Sequence, residues 1–250
     1  MKEVVFWLLS ENNSKLAIGL FDMWHFLHLF IIFGGAISLA LLLRNKSEQA
    51  KEKTLRIFAY LTIGFYIAAF LLMPLSDTYN GISVYKLPFN ICIIMAVFVP
   101  FAQFNKRFAS IKHVIVTLST ASSLMWMCYP GSALGGQPPF SYVIFQAFMY
   151  HGLLFAWGFL NMALGTVTLN IRHIWYELCA ILGMLVWTAL GNALYDGEQN
   201  RFFIEKSIFP FLPNKIMPPV VVFCVFGTCF IVYMAYYAIR ALVKKSQATA

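Results

Sequence analysis

Two residues have types and positions suited to chemistry: His151, inside a long apolar run, and Cys92, near the start of another. His151 lies in residues 141–165, SYVIFQAFMYHGLLFAWGFLNMALG. At a rise of about 1.5 Å per residue, it is roughly 15 Å from the start of that run, or about half of a bilayer's hydrocarbon core. Ionisable side chains at that depth are costly and usually face a partner or a cavity. We therefore expect His151 to have a functional role.

Cys92 stands in a setting that favours a reactive thiol. It follows the junction Leu87-Pro88-Phe89-Asn90, in which Pro88 suits the first turn of a helix. A thiol close to the positive end of a helix dipole is more readily ionised, and a nearby imidazole acts in the same direction. Cys92 and His151 would then form a nucleophile and its base. The alternative is that Cys92 is a small buried hydrophobic residue.

The depths of these two residues set a condition on such a pair. If their helices start at the same level, Cys92 lies roughly 8 to 10 Å nearer the membrane surface than His151. The two side chains then meet only if the junction at Pro88 dips inwards. The remaining cysteines make the total odd, which is not typical of a disulfide framework; they are Cys128, Cys179, Cys224 and Cys229.

Further polar residues are expected in the same half of the membrane: His25, His28, Asn90, Gln146 and Asn192. Asn90 or Gln146 would donate to an oxyanion. His25 and His28 share a helix face. They lie near the interface, bonded to a loop carbonyl or water, or one of them enters the candidate pocket as a second base or a metal ligand. Because no deep carboxylate completes a metal site, we predict neither a metal nor a cofactor.

Two loops frame this half of the membrane. Residues 129–139 are uncharged and rich in turn formers, and form either a lid or a plain connection. Residues 201–213 interleave aromatic side chains with Arg201 and Lys206, which would meet lipid phosphates; an aromatic belt without a ligand is the alternative. On the opposite side, His173 and Glu177 are four residues apart and would support each other at the surface.

The composition requires a membrane protein. Of the 250 residues, 60% are hydrophobic and 11% are charged, and the mean hydropathy of +0.73 excludes an ordinary soluble domain. The net charge of +8 comes from short clusters between apolar runs, so we predict no nucleic-acid binding. Seven runs are long enough to span a membrane: residues 23–43, 57–74, 88–104, 110–128, 141–165, 173–195 and 218–243.

The basic residues predict the orientation. Twelve of the 18 Lys and Arg residues fall in the alternate segments 44–56, 105–112, 166–172 and 240–250, which therefore belong on the cytoplasmic side. The predicted fold is an all-α, multi-pass bundle of seven transmembrane helices in the plasma membrane, with the N-terminus outside and the C-terminus cytoplasmic. Residues 1–250 form one domain, with a surface segment (1–22), the bundle (23–243) and a flexible tail (244–250). The sequence does not predict an oligomeric state.

Over residues 21–195 the chain resembles the YwaF-type integral membrane proteins of Firmicutes and relatives. The shared features are residues 21–28, the junction 87–92, the Tyr129-Pro130 loop, and residues 145–152 with Tyr150-His151-Gly152. The resemblance implies about seven helices. It also implies a distant similarity to eukaryotic multispanning lipid acyltransferases that depend on Cys and His, at positions matching Cys92 and His151. The bacterial relatives commonly have His where this chain has Asn90, so either His151 acts alone or the chemistry differs.

The functional hypothesis is a membrane enzyme acting on acyl lipids, either an acyltransferase or an acyl hydrolase. Its substrates would be the acyl chains of a phospholipid or a lipoprotein. The alternative is a non-enzymatic transporter, sensor or binding protein, in which the same polar cluster holds a small ligand or a proton. A structural subunit of a larger complex is a third interpretation.

Overall fold

The computed structural model describes residues 18–72, 87–130, 141–194 and 213–248, and within these residues the protein is all-helical, as predicted. Three short 3₁₀ turns precede the fourth, sixth and seventh helices: Lys106–Phe108, Ile171–His173 and Asn214–Ile216. The described residues form seven α-helices: α1 (Met23–Leu43), α2 (Glu48–Leu72), α3 (Ile91–Phe104), α4 (Lys112–Cys128), α5 (Tyr142–Ala163), α6 (Ile174–Leu194) and α7 (Met217–Ala248).

The helices differ in length and in how much of their surface is covered. Four segments of the described chain are long and apolar enough to cross a membrane: Met23–Leu43, Glu48–Leu71, Ile171–Leu194 and Asn214–Ala241. Their most apolar stretches are only 6% to 33% buried, so most of that surface is left for lipid. In contrast, nine of the 14 residues of α3 and eleven of the 17 residues of α4 are buried. The protein therefore has inner and outer helices.

Helices α4 and α5 form the centre of the bundle. Helix α4 packs against α3, α5, α6 and α7, and α5 packs against α1, α2, α3 and α4. The two central helices approach closely at Gly158, where a Cβ atom would collide with the Val116 carbonyl and the Thr120 hydroxyl. Small residues allow such contact between membrane helices. The centre is thus enclosed by the remaining helices.

Helix α2 begins earlier than the sequence predicts. The segment up to Arg56 was expected to be a loop, but the helix starts at Glu48. Glu48 pairs with Lys51 at 2.6 Å, and Glu52 pairs with Arg56 at 3.0 Å. Opposite charges three and four residues apart support a helix in water, so α2 continues beyond its apolar part. Helix α7 also continues past its apolar part, as far as Ala248.

A buried glutamine, Gln103, joins three helices near the start of α2. Gln103 on α3 donates to Glu52 on α2 at 3.0 Å and accepts from Trp157 Nε1 on α5 at 2.9 Å. Because both ends of its amide are bonded, the contact fixes α2, α3 and α5 relative to one another. The Nζ atom of Lys112 on α4 lies 6.0 Å from the centre of the Trp157 ring.

Candidate functional site

The junction before α3 is recessed relative to α6. The Thr188 hydroxyl on α6 donates to the Phe89 carbonyl at 2.6 Å, and Trp187 Nε1 donates to the Pro88 carbonyl at 2.7 Å. Thr188 lies six residues before Leu194, the last described residue of α6, so the junction contacts α6 about 9 Å before that residue. The start of α3 is therefore recessed relative to α6, in the direction that a pairing of Cys92 with His151 would require.

Cys92 is the second residue of α3 and is only 8% exposed. The Ser122 side chain of α4 lies against its thiol, and Tyr150 of α5 lies within electrostatic range of it. Ser122 is six residues from the end of α4, and Tyr150 is eight residues from the start of α5. These positions are about 9 and 12 Å inside their helices, so both neighbours of Cys92 lie well within α4 and α5.

His151 is held in one orientation between α5 and α4. Its Nδ1 atom lies 2.7 Å from the Ala147 carbonyl oxygen. A carbonyl can only accept a hydrogen bond, so Nδ1 carries the proton and, in the neutral ring, Nε2 carries the lone pair. The imidazole also stacks on Trp126, with 3.8 Å between ring centres and an interplanar angle of 3°. The neutral ring is therefore fixed in the tautomer whose Nε2 accepts a proton.

Cys92 and His151 face adjacent parts of the same surface of α4. The thiol lies against Ser122, and the imidazole stacks on Trp126, one helical turn further along. Four residues of helix correspond to a rise of about 6 Å. On α5, His151 directly follows Tyr150, which is itself close to Cys92. The two candidate residues thus belong to one region of the protein.

Helix α4 carries a row of buried hydroxyl groups beside Cys92. Ser119, Ser122 and Ser123 are spaced as one helix face and are at most 3% exposed. Ser122 contacts the Cys92 thiol, whereas the Oγ atoms of Ser119 and Ser123 and the Tyr150 hydroxyl have no hydrogen-bond partner among the described residues. Buried polar atoms are nearly always bonded, often to water when protein groups are absent. The region around Cys92 therefore has hydroxyl donors to offer to water or a ligand.

His25 links α1 to α4. The Phe21 N–H donates to Nδ1 at 3.1 Å, and Nε2 donates to the Met127 carbonyl at 2.8 Å. Phe21 has a φ of 62°, in the left-handed region that is uncommon for phenylalanine. The hydrogen bond to His25 is made in this conformation. Because both ring nitrogens are bonded, His25 is fixed as the neutral tautomer protonated at Nε2.

His28 lies at one end of an aromatic row that leads towards His151. Its Nδ1 donates to the Trp24 carbonyl at 2.7 Å, and its ring lies 4.4 Å from the Phe148 ring. Phe148 packs edge-on against Trp126 at 5.3 Å, and Trp126 stacks on His151. Helix α1 therefore contacts the candidate region through these rings.

The other predicted residues are distributed around this region. Gln146 and Asn192 are buried, at 4% and 3% exposure. Asn90 is half-buried at the start of α3, and its side chain does not cap the helix. Arg201 and Lys206 lie outside the described residues, as do residues 131–140 of the Gly- and Pro-rich loop. In the part of the chain that is described, no group of three His, Cys, Asp or Glu residues could hold a metal ion.

Sequence reasoning missed Ser122, Trp126 and Tyr150 as neighbours of the candidate pair. A signal existed for Ser122, because Ser119, Ser122 and Ser123 follow one face of an otherwise apolar segment. The sequence contains no comparable signal for Trp126, whose stacking depends on how α4 and α5 are rotated. In the sequence, Tyr150 stands out only as part of the Tyr150-His151-Gly152 motif shared with YwaF-type proteins.

Apolar outer helices around a buried centre of thiol, imidazole and hydroxyl groups define a multi-pass helical membrane protein. Residues 20–238 match the TMEM164 family, and the chain belongs to that family. The match begins before α1 and ends within α7, so it covers the whole candidate region. No curated protein and no solved structure matches the chain.

Proposed function

We propose that this member of the TMEM164 family is a membrane enzyme that transfers or hydrolyses the acyl groups of lipids. Cys92 is the nucleophile and His151 is the general base. The observation that carries the proposal is the position of Cys92, at a recessed helix start beside Ser122 and about one turn of α4 from the imidazole. The resemblance to YwaF-type proteins and to Cys- and His-dependent acyltransferases supports the same chemistry.

In the first half-reaction, Cys92 Sγ attacks the ester carbonyl carbon of a phospholipid or lipoprotein, while His151 Nε2 takes the thiol proton. The ester C–O bond breaks, and His151 returns this proton to the departing alkoxide oxygen. The acyl group is then held as a thioester on Cys92.

In the second half-reaction, His151 takes a proton from the acceptor hydroxyl, or from water if the enzyme is a hydrolase. The acceptor oxygen attacks the thioester, the C–S bond breaks, and His151 returns the proton to the Cys92 thiolate. The cycle restores both residues and requires no cofactor.

The oxyanion formed in each step needs hydrogen-bond donors. Asn90 and Gln146 are the donors that the sequence suggests. The geometry adds Ser122, which contacts the Cys92 thiol, and Tyr150, whose buried hydroxyl has no hydrogen-bond partner among the described residues. A donor of this kind accelerates acyl transfer by about 10² to 10³.

We also propose that all seven helices cross the plasma membrane, with the N-terminus outside. Helix α3 is short and α4 is rich in hydroxyls, but both are covered by other helices and do not need a fully apolar surface. The distribution of Lys and Arg supports the orientation. The candidate region then lies in the outer half of the membrane, and Arg201 and Lys206 are suited to lipid phosphates on that side.

Purified full-length protein in vesicles tests the enzymatic proposal. The vesicles contain a phospholipid with an isotope-labelled acyl chain, and mass spectrometry follows the labelled products. We expect the wild-type protein to form lysolipid or a newly acylated lipid. We expect Cys92→Ala and His151→Ala to lose this activity while inserting normally.

Cys229→Ala is the matched control for the nucleophile. Cys229 on α7 is a buried, free cysteine like Cys92, and this variant should keep the activity. Product yields that are equal in wild type, Cys92→Ala and His151→Ala would contradict the enzyme. A wild-type protein that binds lipid in a His151-dependent manner, but forms no product, would instead favour the binding or transport alternative.

A further inference from the structure

A second buried polar site lies between α4, α6 and α7, away from Cys92. Its central residue is Glu177, which the sequence predicted to pair with His173 at the surface. That prediction was wrong in its location, because Glu177 is 0% exposed and faces the bundle. The Tyr233 hydroxyl on α7 donates to Glu177 Oε1 at 2.9 Å. The other carboxyl oxygen, Oε2, is buried and has no hydrogen-bond partner among the described residues.

His113 on α4 has a second buried polar atom without a hydrogen-bond partner among the described residues. The Ser110 backbone carbonyl accepts a hydrogen bond from one of its ring nitrogens, and Glu177 is within electrostatic range of the ring. The other nitrogen, Nε2, is buried and lacks a hydrogen-bond partner in the described part of the chain. Because a carbonyl only accepts, the bonded nitrogen carries the proton, and Nε2 of the neutral ring is an acceptor.

The groups facing Glu177 from the neighbouring helices supply no compensating charge. Helix α7 contributes Cys229 and Tyr233, and α4 contributes His113. Within the described residues, no Lys or Arg forms an ion pair with Glu177. A buried carboxyl oxygen and a buried imidazole nitrogen are therefore two acceptors without a donor among the described residues, an arrangement that is unfavourable for buried polar atoms.

We propose that Glu177 and His113 form a proton-binding site, in which one proton is shared between Glu177 Oε2 and His113 Nε2 through a water molecule. A proton satisfies both acceptors and neutralises the carboxylate, whereas a metal would need a third ligand that the described residues do not provide. His173 is exposed, and its ring centre lies 5.4 Å from that of His113. It gives protons a route between this site and the solvent. The site is independent of the proposed acyl chemistry.

Infrared difference spectroscopy of the full-length protein in lipid nanodiscs tests this site. Spectra are recorded between about pH 5 and about pH 9, the range in which imidazole charge changes, in H₂O and in D₂O. We expect the C=O stretch of a protonated carboxyl that changes with pH and shifts in D₂O. Glu177→Gln should abolish this band, while its amide can still accept from Tyr233. Glu52→Gln is the control, because the Glu52 carboxyl is bonded to Arg56 and Gln103 and not to the groups around Glu177, so the band should stay intact.

A second experiment uses His113→Gln to test whether the proton at Glu177 is shared with His113. If the proton is shared, this substitution must shift the pH midpoint of the Glu177 band, whereas an isolated Glu177 would titrate as before. A nitrogen-15 NMR titration of His113 in the unmodified protein gives the same coupling without a substitution. The proposal is overturned by a Glu177 carboxyl that does not change protonation in this range, by an unshifted midpoint in His113→Gln, or by a site that responds to Na⁺ and not to pH.

Discussion

Replacing Thr188 by Val tests whether α6 holds the start of α3 in its recessed position. Valine has nearly the same shape but lacks the hydroxyl that donates to the Phe89 carbonyl at 2.6 Å. Hydrogen bonds between membrane helices contribute about 0.6 kcal/mol on average and about 1.7 kcal/mol at most. A buried acceptor that loses its donor costs about 1–3 kcal/mol. We therefore expect Thr188→Val to lower the free energy of unfolding by about 1–2 kcal/mol.

Labelling of Cys92 reports on the same contact, because the thiol lies three residues after Phe89 and is buried. The measurement uses a protein in which the other four cysteines are Ser, since Cys128 and Cys179 are exposed. A membrane-permeant maleimide then reacts only when the region opens. A loss of about 1–2 kcal/mol raises the open population by about 5- to 30-fold, so the labelling rate should rise by the same factor.

Thr62→Val is the matched control. Thr62 is as fully buried as Thr188, but its hydroxyl donates to the Phe58 carbonyl of its own helix at 2.8 Å. That carbonyl also lies in the regular α-helical bonding pattern, so the change should cost less than about 0.5 kcal/mol. Unfolding in mixed detergent micelles measures both variants. If Thr188→Val matches Thr62→Val in stability and in the labelling of Cys92, the idea that α6 positions the junction is refuted.

Replacing His25 should lower the stability of the protein, whereas replacing Tyr150 should lower its activity and leave its stability unchanged. His25→Ala removes the donor to the buried Met127 carbonyl and the acceptor for the Phe21 N–H, so the free energy of unfolding should fall by at least about 1–3 kcal/mol; an unchanged melting temperature would contradict the assigned link. Tyr150→Phe removes a buried hydroxyl without a partner in the described residues, so stability should be kept while acyl transfer falls by about 10² to 10³. Equal turnover in Tyr150→Phe and wild type would exclude this hydroxyl as an oxyanion donor.

The helices themselves could be predicted from the sequence because apolar runs and charged breaks are local signals. Helix α1 has the predicted bounds of residues 23 and 43, and α5 and α6 lie within two residues of theirs. The start of α2 was predicted incorrectly, since the charged segment from Glu48 to Arg56 resembles a loop in composition but is helical through its ion pairs. Apolarity predicts where a helix can enter lipid, and it does not predict how far the helix continues into water.

The arrangement of the candidate site depends on contacts between distant parts of the chain. The recessed start of α3 needs Thr188 and also Gly191, because a Cβ atom at Gly191 would collide with the Phe89 ring. These residues are about one hundred positions away from the junction, and no periodicity in the sequence connects them. Glu177 was misplaced for the same reason, since only the position of Tyr233 on α7 reveals which way the carboxyl faces.

The polarity of the central helices is explained by their position in the bundle. Among the described residues, the helices long and apolar enough to span a membrane are α1, α2, α6 and α7, and their most apolar stretches are only 6% to 33% buried. Helix α4 carries Ser119, Ser122 and Ser123, and α5 carries Gln146 and His151. Exposing these polar side chains to lipid would be energetically unfavourable. The apolar helices α1 and α2 precede α4 and α5 in the sequence, and α6 and α7 follow them. Because these outer helices cover α4 and α5, the polar groups of the central helices can face one another instead of lipid. Polar helices in the middle of an apolar chain therefore indicate a protected polar centre, and Cys92 and His151 lie in it.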